Sequence, residues 1–474
     1  MTKEESRENE LVEAINRTEL KGFHYKTWIL SGMGFFTDAY DLFIIGVVLS
    51  ILPLAGWASL SSTMTALIAS TALLSAVIGA LVFGRLLDLL GRKTIYGLEL
   101  VILVAGALGS AFLTPVNSGL ALLLWRFLLG IGIGGDYATS STIMAEYSNT
   151  RNRGRLVGMV FSMQSIGLVA GPAITLALIY FGVAPSLMWR LLLAFGAIPA
   201  LLVIYGRRKL PETPKYSINV KGDVSTATRN WTKYTGIEPE HVSSAKPVKV
   251  PWYKLFTDRI FLITLIGTAG TWFLMDWALY GNSIMSSQML SALVPSSVSG
   301  IDALRMSTTY TLLVFGVAAF PGYWLATFTI DRIGRKPIQL VGFLAMASSF
   351  AVLGMFGYLL SAAYVVQFLV IYGLSYFFIE FGPNVTTFIY PPEVFPTANR
   401  GFGSGMSAAG GKTGAFIGTA LNIGIRSVYG ESTLFVILAV LSAIGFVLTL
   451  VALPEPKRKD LEDISGERRL AAES

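Results

Sequence analysis

Apolar residues in this chain fall into long runs separated by short polar breaks, and the length of the runs is the first clue to architecture. A helix needs about 20 apolar residues to cross a bilayer, and in lipid only a helix or a closed barrel satisfies its own backbone polar groups. Twelve such runs are present, at about 27–52, 62–84, 94–116, 119–147, 153–182, 189–206, 259–288, 307–331, 335–360, 363–390, 400–429 and 432–453. The longest polar interruption, 207–258, divides them six and six. The pattern predicts an all-α membrane protein of twelve transmembrane helices in two six-helix bundles. The N-terminal bundle covers 27–206, the central loop 207–258 and the C-terminal bundle 259–453, with end segments 1–26 and 454–474.

Composition agrees. Hydrophobic residues make up 53% of the chain and charged residues 14%, against about 25% charged in soluble domains. The 48 glycines suit helices that approach closely in a bundle. There is no cysteine, and the two histidines, His24 and His241, lie outside the apolar runs. The spans therefore hold no thiol or imidazole for metal binding or nucleophilic chemistry. No enzyme activity, cofactor or metal site is expected.

Charge sets the orientation. Placing both termini and the 207–258 loop on one side puts 31 of the 36 Lys and Arg residues there, and three on the other (Arg190, Arg305 and Arg426). Such a bias predicts that this basic side is cytoplasmic, in a multi-pass protein of the cell membrane. The first 26 residues are polar and lack the apolar core of a signal peptide, so they too are expected in the cytoplasm. The +7 net charge is then a set of short membrane anchors rather than a nucleic-acid stripe.

Two motifs repeat. Gly84-x3-Asp88-x2-Gly91-Arg92-Lys93 returns, without its first glycine, as Asp331-x2-Gly334-Arg335-Lys336, 243 residues later. Glu146-x6-Arg153-Gly154 returns as Glu393-x6-Arg400-Gly401, 247 residues later. A duplicated half explains both, with a substrate site expected between the halves near the midplane. The motifs themselves read as a cytoplasmic clasp, in which a carboxylate caps a neighbouring helix N-terminus.

Ionisable groups inside spans cost about 2.5–3.5 kcal/mol each on insertion scales, so each needs a partner or a polar cavity. The first span carries Asp38 and Asp41, the third Glu99, the fourth Arg126, Asp136 and Tyr137, and the fifth Gln164. In the seventh, Trp272, Asp276 and Tyr280 share one helical face at i, i+4 and i+8. Glu380 and Asn384 lie in the tenth span, and Lys412 lies in the eleventh among glycines. Near the repeat offset, Asp38 maps to Asp276, Tyr137 to Asn384 and Gln164 to Lys412. That is the pattern of one cavity on a pseudo-twofold axis. A purely structural alternative pairs Asp38 and Asp41 with Lys412 or Arg126. The Gly130, Gly132, Gly134 and Gly135 run follows a span with no strand before it, and reads as close helix packing rather than a nucleotide loop.

These motifs resemble the phosphate:proton symporter family of the major facilitator superfamily. The clasp alone marks the superfamily. The narrower likeness rests on GMGFFTDAYDLFIIG (32–46), GGDYATSSTIMAEY (134–147), TWFLMDWALYG (271–281) and EFGPNVTTFIYPPEVFPTANRG (380–401), followed by Lys412. The resemblance implies that Tyr137, Gln164, Trp272, Asp276, Tyr280 and Asn384 contact phosphate, with Lys412 nearby. It implies proton-linked acids at Asp38, Asp41, Asp136 and Glu99. Ala138, Pro392 and the extra acid Glu380 depart from the family pattern.

The expected function is proton-coupled import of inorganic phosphate, or its isostere arsenate, by alternating access. The alternatives are a proton symporter of this fold for a sugar or organic anion, and an anion receptor that does not transport. Protons and the lipid bilayer are the other expected partners. One chain carries every candidate residue, so a monomer suffices.

Overall fold

The computed structural model describes residues 10–236, 250–284 and 286–473; His241 lies outside the described residues. No strand occurs among them. Twelve spans can be traced among the described residues, the last two as one helix broken at Gly430: α1 (Gly22–Ile51), α2 (Ser62–Leu90), α3 (Arg92–Phe112), α4 (Gly119–Tyr147), α5 (Arg153–Tyr180), α6 (Pro185–Lys209), α7 (Arg259–Ser283), α8 (Gly300–Ile333), α9 (Arg335–Met355) and α10 (Ala362–Val394), then α11 (400–429) and α12 (431–452). The last two run on from each other through Gly430, whose φ of 81° breaks the helical path.

Local chemistry sets the helix starts. Asp258 caps α7 by accepting from the Ile260 and Phe261 amides, Ser61 caps α2 and Ser118 caps α4. Large apolar side chains such as Leu89, Phe112, Leu124, Leu202, Val366 and Val451 are exposed around the outside, where lipid would cover them. Inside, α4 packs against α2 and α3 through the glycine run, and a Cβ on Gly134 would lie 2.0 Å from the Ala76 carbonyl oxygen. The glycines serve packing, as expected.

The halves meet along two matching seams, α2 against α11 and α5 against α8. Gly84 sits directly on the Gly401 backbone in the first seam. In α10, Pro383 lacks an N–H and the backbone widens into a π-turn over Glu380–Asn384, with Gly382 off the helical path.

Several expected boundaries move, those of α8 and α6 among them. α8 begins at Gly300 rather than 307, because its first turns are polar but still helical. α6 continues to Lys209, past the limit set at 206, so Arg207 belongs to the bundle and not to the loop.

On the basic face the C-terminal segment docks onto both halves. Glu462 pairs with Lys215 at 2.9 Å, and Glu467 accepts from the Thr397 amide. Burial opposes the charge on Glu462, but the adjacent Lys215 ammonium and its hydrogen bond hold the carboxyl down to about 2.

Candidate functional site

The clasp residues form two mirrored networks on the basic face. Asp88, at the end of α2, accepts from the Gly401 and Phe402 amides at 3.0 and 2.7 Å, so it caps α11 of the other half. Asp331, at the end of α8, accepts from the Gly154 and Arg155 amides at 3.1 and 2.8 Å and caps α5. Gly91 and Gly334 turn the chain at φ 95° and 115°, a region that excludes most side chains. Arg92 and Arg400 then share Glu146 at 2.7 and 3.1 Å, while Arg335 and Arg153 share Glu393 at 2.6 and 2.9 Å. Each glutamate thus ties an arginine of its own half to one of the other half. All four arginines are buried.

Midway along the bundle, seven residues singled out from the sequence come together. Lys412 donates to Asp276 at 3.1 Å and to the Tyr280 hydroxyl at 3.0 Å, and its ammonium lies over the Tyr137 and Tyr280 rings. The Tyr280 and Tyr137 hydroxyls are 3.1 Å apart, and Gln164 donates to Tyr137 at 2.6 Å. Tyr323 donates to Gln164 at 3.1 Å and accepts from Asn384 at 2.8 Å. Asp276 Oδ1 and the Trp272 indole nitrogen sit one turn apart, and neither has a hydrogen bond of good geometry. Helices α4, α5, α7, α8, α10 and α11, from both halves, supply these groups.

Aromatic pairs flank this cluster on both sides. Towards the basic face Phe161 stacks on Phe388 at 4.5 Å. Towards the opposite face Phe43 stacks on Tyr280 at 5.1 Å. Every one of the seven side chains is at most 2% exposed.

The four acids expected to be proton-linked form a second group with unequal partners. Arg207 grips Asp136 through both guanidinium nitrogens at 2.6 and 3.0 Å, and reaches Glu99 at 2.9 Å. Its other hydrogens go to the Leu30 and Ser31 carbonyls at 2.8 Å. Gly34 makes room for this, since a Cβ there would lie 2.0 Å from Asp136 Oδ2 and 2.1 Å from Arg207 Nη2. Arg126 reaches the Asp41 backbone carbonyl at 3.1 Å rather than its carboxylate. Asp38 is fully buried, and neither oxygen has a hydrogen-bonding partner among the described residues. Lys412 is paired with Asp276 rather than with Asp38 or Asp41, whereas Arg126 stays beside Asp41 without an ion pair to its carboxylate.

Three features escaped the sequence reading. Arg207 was assigned to a loop. Tyr323 lay in an apolar run with no charge to mark it. A third repeat, Leu210-Pro211-Glu212 and Leu453-Pro454-Glu455, keeps the 243-residue offset. Glu212 accepts from the Arg92 amide at 3.1 Å and Glu455 from the Arg335 amide at 3.2 Å, so both acids brace the clasp in the same way. No cluster of acid or imidazole ligands suited to a metal occurs among the described residues.

A twelve-helix bundle with two mirrored clasps and a buried polar chamber between its halves is a membrane transporter of the major facilitator superfamily, not an enzyme. Within that class the chain belongs to the sugar (and other) transporter family, whose model matches residues 26–467. It is 35% identical to the probable inorganic phosphate transporter 1-12 of Oryza sativa subsp. japonica, over 97% of this chain and 94% of that one. Identity is also 35% to the low affinity inorganic phosphate transporter 5 of Petunia hybrida, over 96% and 94%. The fold resembles that of the proton:xylose symporter XylE with a TM-score of 0.77, at 19% identity, over 94% of this chain and 99% of that one.

Proposed function

We propose that this protein imports inorganic phosphate with protons across the cell membrane by alternating access, with the basic face and both termini in the cytoplasm. The observation that carries the reading is the buried Lys412–Asp276 pair ringed by Tyr137, Gln164 and Tyr280. Dihydrogen phosphate brings both O–H donors and free acceptor oxygens. Asp276 accepts from a P–OH group, while Lys412, Trp272 and the two tyrosines donate to the remaining oxygens. Sulfate, a dianion without a proton, would set like charge against Asp276. Arsenate shares the geometry and protonation of phosphate and is expected to follow it. The names of the plant relatives support the same substrate.

Import of an anion against an inside-negative potential costs about 2.3 kcal/mol per charge per 100 mV, so cations must accompany it. Asp38, buried without a donor, is the acid on which a proton relieves most cost, and Asp41 stands beside it. Asp136 and Glu99 are held by Arg207 and relay or sense that proton. The clasp holds the cytoplasmic side shut and parts when the halves rock.

The test is labelled phosphate uptake into proteoliposomes. An acid-outside gradient is expected to drive accumulation that a protonophore collapses. Uptake driven by a sodium gradient at constant pH would overturn proton coupling.

A further inference from the structure

Glu380 has no place in the account so far. It is fully buried and shares the π-turn of α10 with Asn384. Among the described residues no cation lies within ion-pair distance of it. Asn384 donates one amide hydrogen to Glu380 Oε2 and the other to the Tyr323 hydroxyl. Both hydrogens are thereby taken by protein groups, and Oδ1, an acceptor, is the only polar atom of the amide left for a ligand.

We propose that Glu380 carries a proton in step with phosphate by setting which end of the Asn384 amide faces the substrate. The inference rests on the phosphate reading above. As a carboxylate, Glu380 is an acceptor only and holds the Asn384 NH2 towards itself. As the acid, it donates its O–H to Asn384 Oδ1. The amide then turns, and its NH2 points at a phosphate oxygen. Tyr323, which accepts from Asn384 and donates its one hydrogen to Gln164 Oε1, follows the turn by moving that hydrogen from Gln164 Oε1 to Asn384 Oδ1. The step is a proton transfer alone: the carboxylate takes a proton from hydronium on the side where substrate enters and gives it back to solvent on the side where substrate leaves. Glu380 and Asn384 stand at i and i+4 in the π-turn and are joined side chain to side chain.

The charged and titratable neighbours are few. Tyr323 faces Glu380 from α8, Asp276 from α7 and Tyr376 from its own helix. Asp276 is already paired with Lys412. α9 packs on the turn through Gly342, and its own charges, Arg335 and Lys336, sit at the basic end. None of these offers Glu380 a positive charge.

The experiment is equilibrium binding of inorganic phosphate to the purified full chain across a pH series. The titration of phosphate itself is common to every variant, so differences in slope isolate the protein group. In the native protein, affinity is expected to rise as pH falls. Glu380→Gln is expected to flatten the slope of log Kd against pH by one proton, about tenfold per pH unit. In an Asn384→Ala background the same change is expected to leave the slope unaltered. An unaltered slope in Glu380→Gln alone overturns the proposal, as does a flattened slope that persists without Asn384. No phosphate binding to the native chain at any pH would instead overturn the phosphate reading, and this proposal with it.

Discussion

Asp276→Asn is expected to weaken phosphate binding by about tenfold to a hundredfold, the range for losing one charge-assisted hydrogen bond. Asp276 accepts from Lys412 with Oδ2 and keeps Oδ1 free for a P–OH donor beside Trp272. The amide has the same size, but it cannot anchor Lys412 as an ion pair, and its NH2 cannot accept. The variant also separates two roles. An Asp276 that served only as a proton carrier would be mimicked in its protonated state by asparagine. Binding and counterflow exchange would then survive while gradient-driven uptake failed. Measuring binding and exchange together on the purified variant decides the matter, and intact binding would move Asp276 to the proton path.

Arg207→Gln has the second large effect, on stability. It leaves Asp136 and Glu99 buried without a counter-charge, a loss of about 3–5 kcal/mol for a broken buried pair. The melting temperature of the detergent-solubilised protein should fall accordingly. Arg207→Gln with Asp136→Asn removes charge on both sides and is expected to recover part of the loss. A single variant as stable as the native protein, or a double variant no better than the single, would contradict the assignment of Arg207 as the cation of this cluster.

Arg207 also shows where sequence reading stops. It opens the basic string Arg207, Arg208, Lys209, and such strings read as cytoplasmic anchors. Arg208 and Lys209 do lie outside. Arg207, however, follows Val203 by four residues and Ala200 by seven, so a helix carried on for one more turn puts it on their buried face. Hydropathy ends a span where charge begins, whereas a helix ends only where its hydrogen bonds do. The central site was legible for the opposite reason. Charges inside apolar runs are conspicuous, and the repeat offset alone aligns Tyr137 with Asn384 and Gln164 with Lys412. Tyr323 carried no such mark, because a tyrosine in a span is most often packing. The crossed capping by Asp88 and Asp331 followed from motif chemistry, but which helix each would cap depended on how the halves dock.

The assignment of the acids changes in the same light. The family resemblance implies one group of four proton-linked acids, Asp38, Asp41, Asp136 and Glu99. Side-chain geometry divides them into Asp136 and Glu99, satisfied by Arg207, and Asp38 and Asp41, the first with neither oxygen bonded and the second with Oδ2 unbonded. Lys412 is thus the buried cation paired with Asp276, and Arg207 the one paired with Asp136 and Glu99.

The central claim is that the Lys412–Asp276 chamber selects phosphate, and competition during uptake tests it most directly. Labelled phosphate entering proteoliposomes under an acid-outside gradient would be measured with excess unlabelled phosphate, arsenate, sulfate or a hexose outside. Unlabelled phosphate and arsenate are expected to suppress uptake, with sulfate and hexose leaving it intact. Suppression by the hexose or by sulfate to the same degree as by phosphate would contradict the account.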